Sequence, residues 1–243
     1  MRRIGLLGGT SWESSAEYYR LLNEGAKARL GAQHSADLVL RSVDFAEISV
    51  LQEAGDWAAL GARYKAEAAG LAAGGAQVLG ICANTMHLVY DDVVGGSGGL
   101  PVVHIVDVVA DAALAAGAAS VAVLGTRYTM ASDLYPARLA PRGIEVLLPD
   151  ADDAAEVNRI IYDELVLGTV LDSSRAALVA IGSRLVARGA GAVVLACTEL
   201  PMLWPLGDPS FPVPVLESMS LHVNALLEAA FAARDSAPEE GAA

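Results

Sequence analysis

The amino-acid sequence predicts an α/β protein with two pseudo-symmetric lobes, each a parallel sheet flanked by helices, and an active site in the cleft between them. First, short apolar runs alternate with longer amphipathic segments, a pattern typical of parallel sheets. Second, the apolar run ending in Thr10 resembles the run ending in Thr126, and the run before Cys82 resembles the run before Cys197. Because the two pairs have nearly the same offset along the chain, they indicate a duplicated α/β unit.

The first half of the chain supplies the elements of the first predicted lobe. Its apolar runs predict strands at 4–7, 38–43, 78–81 and 102–106, and its amphipathic segments predict helices at 11–30, 58–73 and 110–116. Ser11 and Ser14 are candidate caps of the first helix, while Gly74 and Gly75 end the second. The segment 91–99 is rich in glycine and is predicted to be a loop.

The second half repeats this order. Strands are predicted at 121–124, 144–147 and 193–195, and helices at 132–139, 157–167, 173–188 and 216–234. We place the boundary near Gly117, which gives lobes of 1–117 and 118–215. The sequence leaves open whether the last helix packs on the first lobe. Residues 235–243 are predicted to form a disordered tail.

Composition excludes several classes of protein. The chain of 243 residues is 54% hydrophobic, enough for a sizeable core. A net charge of −13 and an aromatic content of 5% argue against a nucleic-acid partner, which needs clustered Lys and Arg. The longest apolar stretch, 108–124, is interrupted by Asp111 and predicts no membrane span. The basic start of the chain is followed by too short an apolar run for a signal peptide, so we expect a cytoplasmic protein.

The two cysteines are the strongest functional signal. Cys82 and Cys197 are too few for a disulfide framework and lack the paired spacing of a zinc site, so no metal is predicted. Each follows a predicted strand, at the sheet edge where ligands bind in parallel sheets. A single buried cysteine is more often structural. Two equivalent thiols, however, suit removal of a proton from a carbon acid and its return from the opposite face.

Short polar residues accompany both thiols. Asn84, Thr85, Thr198 and Glu199 follow the cysteines, and Thr10 and Thr126 follow the corresponding first strands. Such groups can donate hydrogen bonds to a carboxylate, on which charge develops when the α-proton leaves. For each threonine alone, capping of a local turn is the competing interpretation.

Five segments of the chain carry a family resemblance. They are IGLLGGTSWES at 4–14, CANTMH at 82–87, LGTRYTM at 124–130, IIYDEL at 160–165 and CTEL at 197–200. Together they resemble the aspartate/glutamate racemase superfamily over residues 3 to 222. The resemblance is closest to the aspartate racemase branch, which includes broad-specificity amino-acid racemases.

The resemblance implies a dimeric amino-acid racemase that needs no cofactor, with Cys82 and Cys197 as its two catalytic cysteines. It implies that Asn84, Thr85 and Thr198 hold the α-carboxylate of the substrate, and it places Thr10 and Gln52 among the residues that contact the substrate. Ala83 stands in the same binding segment, where a threonine is common. Aspartate-specific members are expected to carry an arginine near the neutral Gln52, so the accepted side chain stays open.

The sequence thus favours a racemase that interconverts L- and D-amino acids with two opposed cysteines. The expected partners are a small-molecule amino acid and a second copy of the chain, with neither nucleic acid nor membrane. Two alternatives stay open. One is a related decarboxylase or isomerase of another carboxylic acid, and the other is a non-catalytic amino-acid-binding protein.

Overall fold

The computed structural model describes residues 1–31, 33–204 and 210–232, and it contains two four-stranded parallel sheets. The predicted tail at 235–243 lies outside the described residues. The first sheet has the order β2-β1-β3-β4, and its strands are β1 (Ile4–Gly8), β2 (Leu38–Ser42), β3 (Val78–Ile81) and β4 (Val102–Val103). The helices of this part are α1 (Trp12–Leu30), α2 (Phe45–Glu53), α3 (Trp57–Ala73) and α4 (Tyr90–Gly96).

The second sheet has the equivalent order β6-β5-β7-β8. Its strands are β5 (Ser120–Gly125), β6 (Glu145–Leu147), β7 (Ala192–Ala196) and β8 (Val215–Glu217). The remaining helices are α5 (Ile105–Ala115), α6 (Arg127–Met130), α7 (Pro136–Leu139), α8 (Ala151–Arg159), α9 (Asp172–Ala187) and α10 (Ser218–Phe231). The two matching strand orders confirm the duplicated, two-lobed α/β fold. None of these helices is both long and apolar enough to cross a membrane.

The chain divides by its internal contacts into two compact units. Of the described residues, the first unit comprises Met1–Cys82, Val89–Val103 and those from His222 to residue 232, and the second comprises Ala83–Leu88 and His104–Leu221. The sequence placed the boundary near Gly117, whereas in the structure α5, which precedes Gly117, belongs to the same unit as the second sheet. Most of the last helix groups with the first unit, where Arg29 forms an ion pair with Glu228.

Both faces of the second sheet are covered, which explains its continuous apolar strands. Along β5, Val121 and Val123 pack in one hydrophobic cluster, whereas Ala122 and Leu124 pack in another. Successive strand side chains point to opposite faces, and all four are fully buried. A strand buried on both sides therefore shows no polar alternation.

The glycine-rich segment 91–99 was wrongly predicted as a loop, since much of it lies in helix α4. The glycines permit close packing against α3. A Cβ on Gly96 would lie 2.1 Å from the Lys65 carbonyl oxygen, and a Cβ on Gly61 would lie 2.3 Å from Asp92 Oδ2. Glycine is required here for the approach of two helices, not for a turn.

Further elements differ from the sequence prediction. The start of the predicted helix 216–234 belongs to strand β8, and the end of the predicted strand 102–106 belongs to helix α5. The predicted helix 157–167 includes a π-helical turn at Ile160–Glu164. Helix α2 was not predicted; Asp44 caps it by accepting a hydrogen bond from the Ala46 N–H at 3.0 Å.

Candidate active site

Cys82 lies at the carboxyl end of β3, in the first unit. Strands β1 and β3 are parallel neighbours with Leu7 opposite Ile81, and the Cys82 N–H donates to the Leu7 carbonyl at 2.8 Å. This register brings Cys82 to the same sheet edge as Thr10, which follows β1. The Cys82 side chain is fully buried, and burial raises the pKa of its thiol.

Tyr64 lies close to Thr10 and Cys82 in the same unit. It comes from α3 and is 1% exposed. Burial is the main cause that raises the pKa of its phenol; the Thr10 hydroxyl favours the phenolate, and charge on Cys82 would oppose it. Among the described residues, neither Thr10 Oγ1 nor Tyr64 Oη has a hydrogen-bond partner of normal geometry.

Gln52 also belongs to the first unit. It lies on α2, and only 6% of it is exposed. Of the residues predicted for the site, the first unit therefore holds Cys82, Thr10 and Gln52. The sequence did not reveal Tyr64, because a tyrosine on the buried face of an amphipathic helix resembles an ordinary core residue.

Cys197 occupies the equivalent place in the second unit, at the carboxyl end of β7. The neighbouring strand β5 ends at Gly125, opposite Ala196, so Thr126 and Cys197 follow adjacent strand ends. The Cys197 thiol donates to Glu199 Oε2 at 3.0 Å, and the Thr198 hydroxyl donates to the same oxygen at 2.8 Å. Burial first, and then the charge and hydrogen bond of Glu199, raise the pKa of Cys197 well above its usual value.

Three threonine hydroxyls form a cluster in the second unit. Thr85 Oγ1 lies 2.9 Å from Thr126 Oγ1 and 3.1 Å from Thr129 Oγ1, and the latter two are 3.3 Å apart. Thr126 also caps α6 by accepting from the Thr129 N–H. Because hydroxyl rotors can turn, these groups can exchange their mutual bonds for bonds to an anion.

Asn84 is held in a buried network. Tyr135 donates its hydroxyl proton to Asn84 Oδ1 at 2.8 Å, and Asn84 Nδ2 donates to Ser218 Oγ at 2.9 Å. Ser218 in turn donates to the Leu195 carbonyl on β7 at 2.8 Å. The network fixes the amide plane, and one N–H of Asn84 satisfies Ser218. Tyr135 and Ser218 were not predicted as site residues, although the place of Ser218 after an apolar run was a sequence signal for it.

Ala83 begins the short segment that joins the second unit. It is 7% exposed, and its carbonyl accepts from His87 Nδ1 at 2.8 Å. His87 Nε2 accepts from the Ile105 N–H at 3.2 Å, which fixes a neutral ring. His87 therefore ties the segment after Cys82 to the start of α5.

The second unit thus holds Cys197 with six other predicted site residues: Ala83, Asn84, Thr85, Thr126, Thr198 and Glu199. Within the parts of the chain that the structure describes, no three His, Cys, Asp or Glu side chains are grouped to hold a metal ion.

Comparison with known proteins identifies the family. The sequence model of the Asp/Glu/hydantoin racemase family matches residues 7–226. A Yersinia pestis structure, described as a candidate Asp/Glu racemase, is 41% identical with a TM-score of 0.88, covering 95% of this chain and 100% of that one. An aspartate racemase homologue from Pyrococcus horikoshii is 33% identical with a TM-score of 0.81, covering 95% and 99% of the two chains.

A more distant structure has the same fold. The aspartate racemase of Picrophilus torridus is 20% identical with a TM-score of 0.69, and the match covers 95% of this chain and 94% of that one. At this identity the likeness concerns the fold alone. The match of the family over most of the chain, with the more similar structures, shows that this chain belongs to the Asp/Glu/hydantoin racemase family.

Proposed function

We propose that the protein is a cofactor-independent amino-acid racemase that removes the α-proton with one cysteine and returns a proton with the other. The observation that carries the proposal is the equivalent position of the two thiols. Cys82 follows the third strand of the order β2-β1-β3-β4, and Cys197 follows the third strand of the order β6-β5-β7-β8. Membership of a racemase family supports the same reaction.

The two thiols need opposite protonation states at the start of each turnover. Glu199 favours the protonated form of Cys197, because a thiolate would lie beside a carboxylate. Of the two possible arrangements, we therefore propose that the one with a Cys197 thiol and a Cys82 thiolate is the more populated. In this arrangement Cys197 is the acid and Cys82 is the base. The α-proton passes to the Cys82 thiolate, and the Cys197 proton passes to the opposite face of the α-carbon. The enzyme is then left with a Cys82 thiol and a Cys197 thiolate.

The carboxylate of the substrate takes up charge as the α-proton leaves. The hydroxyls of Thr85, Thr126 and Thr129 and the amide of Asn84 are buried donors in the unit that holds Cys197. Donors fixed before the reaction stabilise developing charge more than they stabilise the bound substrate. We assign them to the α-carboxylate, with Asn84 oriented by Tyr135 and Ser218.

The substrate side chains that the protein accepts are a separate part of the proposal. The descriptions of the similar Yersinia pestis and Pyrococcus horikoshii proteins make aspartate and glutamate the first amino acids to test. The buried residue at position 52 is a neutral glutamine, which supports acceptance of other side chains as well. We propose a broad specificity, a homodimeric assembly and a cytoplasmic location.

Hydrogen exchange in deuterium oxide tests the reaction. An L-amino acid incubated with the protein is expected to give the D-enantiomer carrying α-deuterium, detected by chiral chromatography and mass spectrometry. Retention of both thiols with no α-exchange for any amino acid contradicts the proposal. Light scattering of the purified protein tests the dimer.

Single cysteine variants test the use of two bases. Cys82→Ser and Cys197→Ser are each expected to lower racemisation by about 10²- to 10⁴-fold, the usual contribution of one acid–base group. Unfolding midpoints close to that of the unmodified protein serve as the control for folding. A decarboxylase or another lyase is expected to need only one thiol, and a binding protein is expected to be stabilised by ligand without forming product.

A further inference from the structure

Two buried hydroxyls in the first unit lack a hydrogen-bond partner of normal geometry. Tyr64 Oη and Thr10 Oγ1 are enclosed, and neither makes a hydrogen bond of normal geometry to any described residue. More than nine-tenths of buried polar groups in folded proteins are paired, because a buried hydroxyl without a partner has lost its hydration without compensation. The two hydroxyls approach one another in poor geometry, and neither has a partner of normal geometry among the described residues, so a bound molecule can supply the missing partner.

The position of this pair connects it with the reaction. Thr10 follows β1 and Cys82 follows the adjacent strand β3, so both lie at one edge of the sheet. Tyr64 extends from α3 to the same place, and both Thr10 and Cys82 affect the pKa of its phenol. A substrate whose α-proton is within reach of Cys82 can therefore bring its side chain close to these hydroxyls.

The charges around Tyr64 are already compensated. Glu67 and Arg63 both act on its phenol, and Arg63 Nε donates to Glu67 Oε1 at 2.8 Å. Arg41 donates to the other oxygen of Glu67 at 2.6 Å. The arginines that approach this part of α3 are thus committed to a carboxylate of the protein, and Gln52 contributes no charge.

We propose that Thr10 and Tyr64 form a subsite that binds an uncharged hydrogen-bonding side chain of the substrate, such as a carboxamide or a hydroxyl. The inference rests on the proposed racemase function and names Tyr64 as a residue that determines specificity. The two hydroxyls can donate and accept, which matches a carboxamide or an alcohol equally well.

A side-chain carboxylate suits this subsite less well. It would be buried near the Cys82 thiolate, and two like charges in a buried site destabilise one another. Compensation would need a cation, whereas the guanidinium of Arg63 is already bonded to Glu67. A neutral polar group satisfies both hydroxyls and leaves the base ionised.

Aspartate, asparagine and leucine provide the test, because their side chains have almost the same shape and differ in charge and hydrogen bonding. We expect kcat/KM for racemisation by the unmodified protein to be highest for asparagine. Tyr64→Phe is expected to lower the value for asparagine by about 10- to 100-fold, as for loss of a hydrogen bond in a buried site, and to leave leucine unchanged. Thr10→Val is expected to act in the same direction.

Tyr19→Phe is the matched control, since Tyr19 belongs to the same unit and is 52% exposed. It is expected to leave all three substrates unchanged. The melting temperature of ligand-free Tyr64→Phe is expected to stay the same or rise, because the substitution removes a hydroxyl that has no partner. A decrease in kcat/KM for asparagine therefore cannot be attributed to loss of folding.

Several outcomes would overturn the inference. An equal decrease for asparagine and leucine in Tyr64→Phe, or a preference of the unmodified protein for aspartate that Tyr64→Phe does not change, would each do so while leaving the racemase proposal intact. If no amino acid is racemised, the proposed function fails and thermal shifts with the same three amino acids decide the subsite. A shift that is largest for asparagine and is lost in Tyr64→Phe supports it, and equal or absent shifts overturn it.

Discussion

Cys197 donates its thiol proton to Glu199 Oε2 over 3.0 Å, and Thr198 donates to the same oxygen. The acid of the proposed reaction is thus hydrogen-bonded to a carboxylate two residues further along the chain. Cys82, in contrast, has a pKa raised by burial alone. The two thiols occupy equivalent strand ends but different electrostatic surroundings. The resting states that we propose for them are based on this difference.

Glu199→Gln is expected to lower the pKa of Cys197, because it removes the negative charge that opposes the thiolate. The effect is best measured in a Cys82→Ser background, where Cys197 is the only cysteine, as the pH dependence of its alkylation by iodoacetamide. Loss of an adjacent negative charge is expected to move the midpoint to lower pH. Glu156→Gln, on the surface of α8, is the control. An unchanged midpoint in Glu199→Gln would contradict the assignment of Cys197 as the protonated thiol.

Tyr135→Phe is expected to destabilise the protein, because it leaves the buried Asn84 Oδ1 without its donor. A buried acceptor without a partner costs about 1–3 kcal/mol. Tyr64→Phe makes the same chemical change at an unpaired hydroxyl and is expected to cause no loss. Urea denaturation of the two variants measures the difference. Equal losses in the free energy of unfolding would mean that hydrogen bonding does not distinguish the two tyrosines.

The sequence predicted those parts of the fold that depend on local pattern. Strands such as β5 and β7 are apolar throughout because both faces are covered, and their similar endings placed Thr126 and Cys197 correctly at the carboxyl edge. The repeat added information that no single strand carries, since it related Cys82 to Cys197. The two-lobed architecture followed from it.

The parts that depend on distant contacts could not be predicted. The glycines of α4 allow Gly96 to lie close to Lys65 of α3. In the sequence, such glycines look the same as the glycines of a turn. Tyr135 and Tyr64 both resemble core residues in the sequence, yet one completes the Asn84 network and the other keeps an unpaired hydroxyl. Which tyrosine has a partner is decided by tertiary packing alone.

Gly9→Ala is expected to disrupt the loop that carries Thr10. Gly9 has a φ of +99°, and a Cβ there would lie 2.2 Å from the Val43 carbonyl oxygen. The combined backbone strain and clash are expected to lower the free energy of unfolding by about 3 kcal/mol or more. Gly117 has a φ of +69° but open space around it, so Gly117→Ala is expected to cost about 1–2 kcal/mol. Chemical denaturation of both variants checks the order, and a larger loss for Gly117→Ala would refute it.

His222 is expected to make the folded state sensitive to acid. The ring is fully buried; Tyr18 donates to Nδ1 at 2.8 Å, and Nε2 donates to the Val103 carbonyl at 3.0 Å. Burial lowers the pKa of His222 to about 4, opposed by the Val103 carbonyl. In the unfolded chain the ring takes up a proton near its ordinary pKa of about 6.5. Between these values the unfolded state binds more protons, so the free energy of unfolding falls as the pH falls from about 6.5 to about 4, by up to about 3 kcal/mol.

Urea denaturation at several pH values between 7 and 4 measures this loss. His222→Gln keeps the ability to accept from Tyr18 and donate to the Val103 carbonyl but cannot be protonated, so its stability is expected to depend less steeply on pH. His34→Gln changes an exposed histidine and is expected to retain the slope of the unmodified protein. Because carboxylates also take up protons near pH 4, the comparison between variants isolates the contribution of His222. Parallel pH dependences in His222→Gln and the unmodified protein would show that the buried ring is not the source of acid sensitivity.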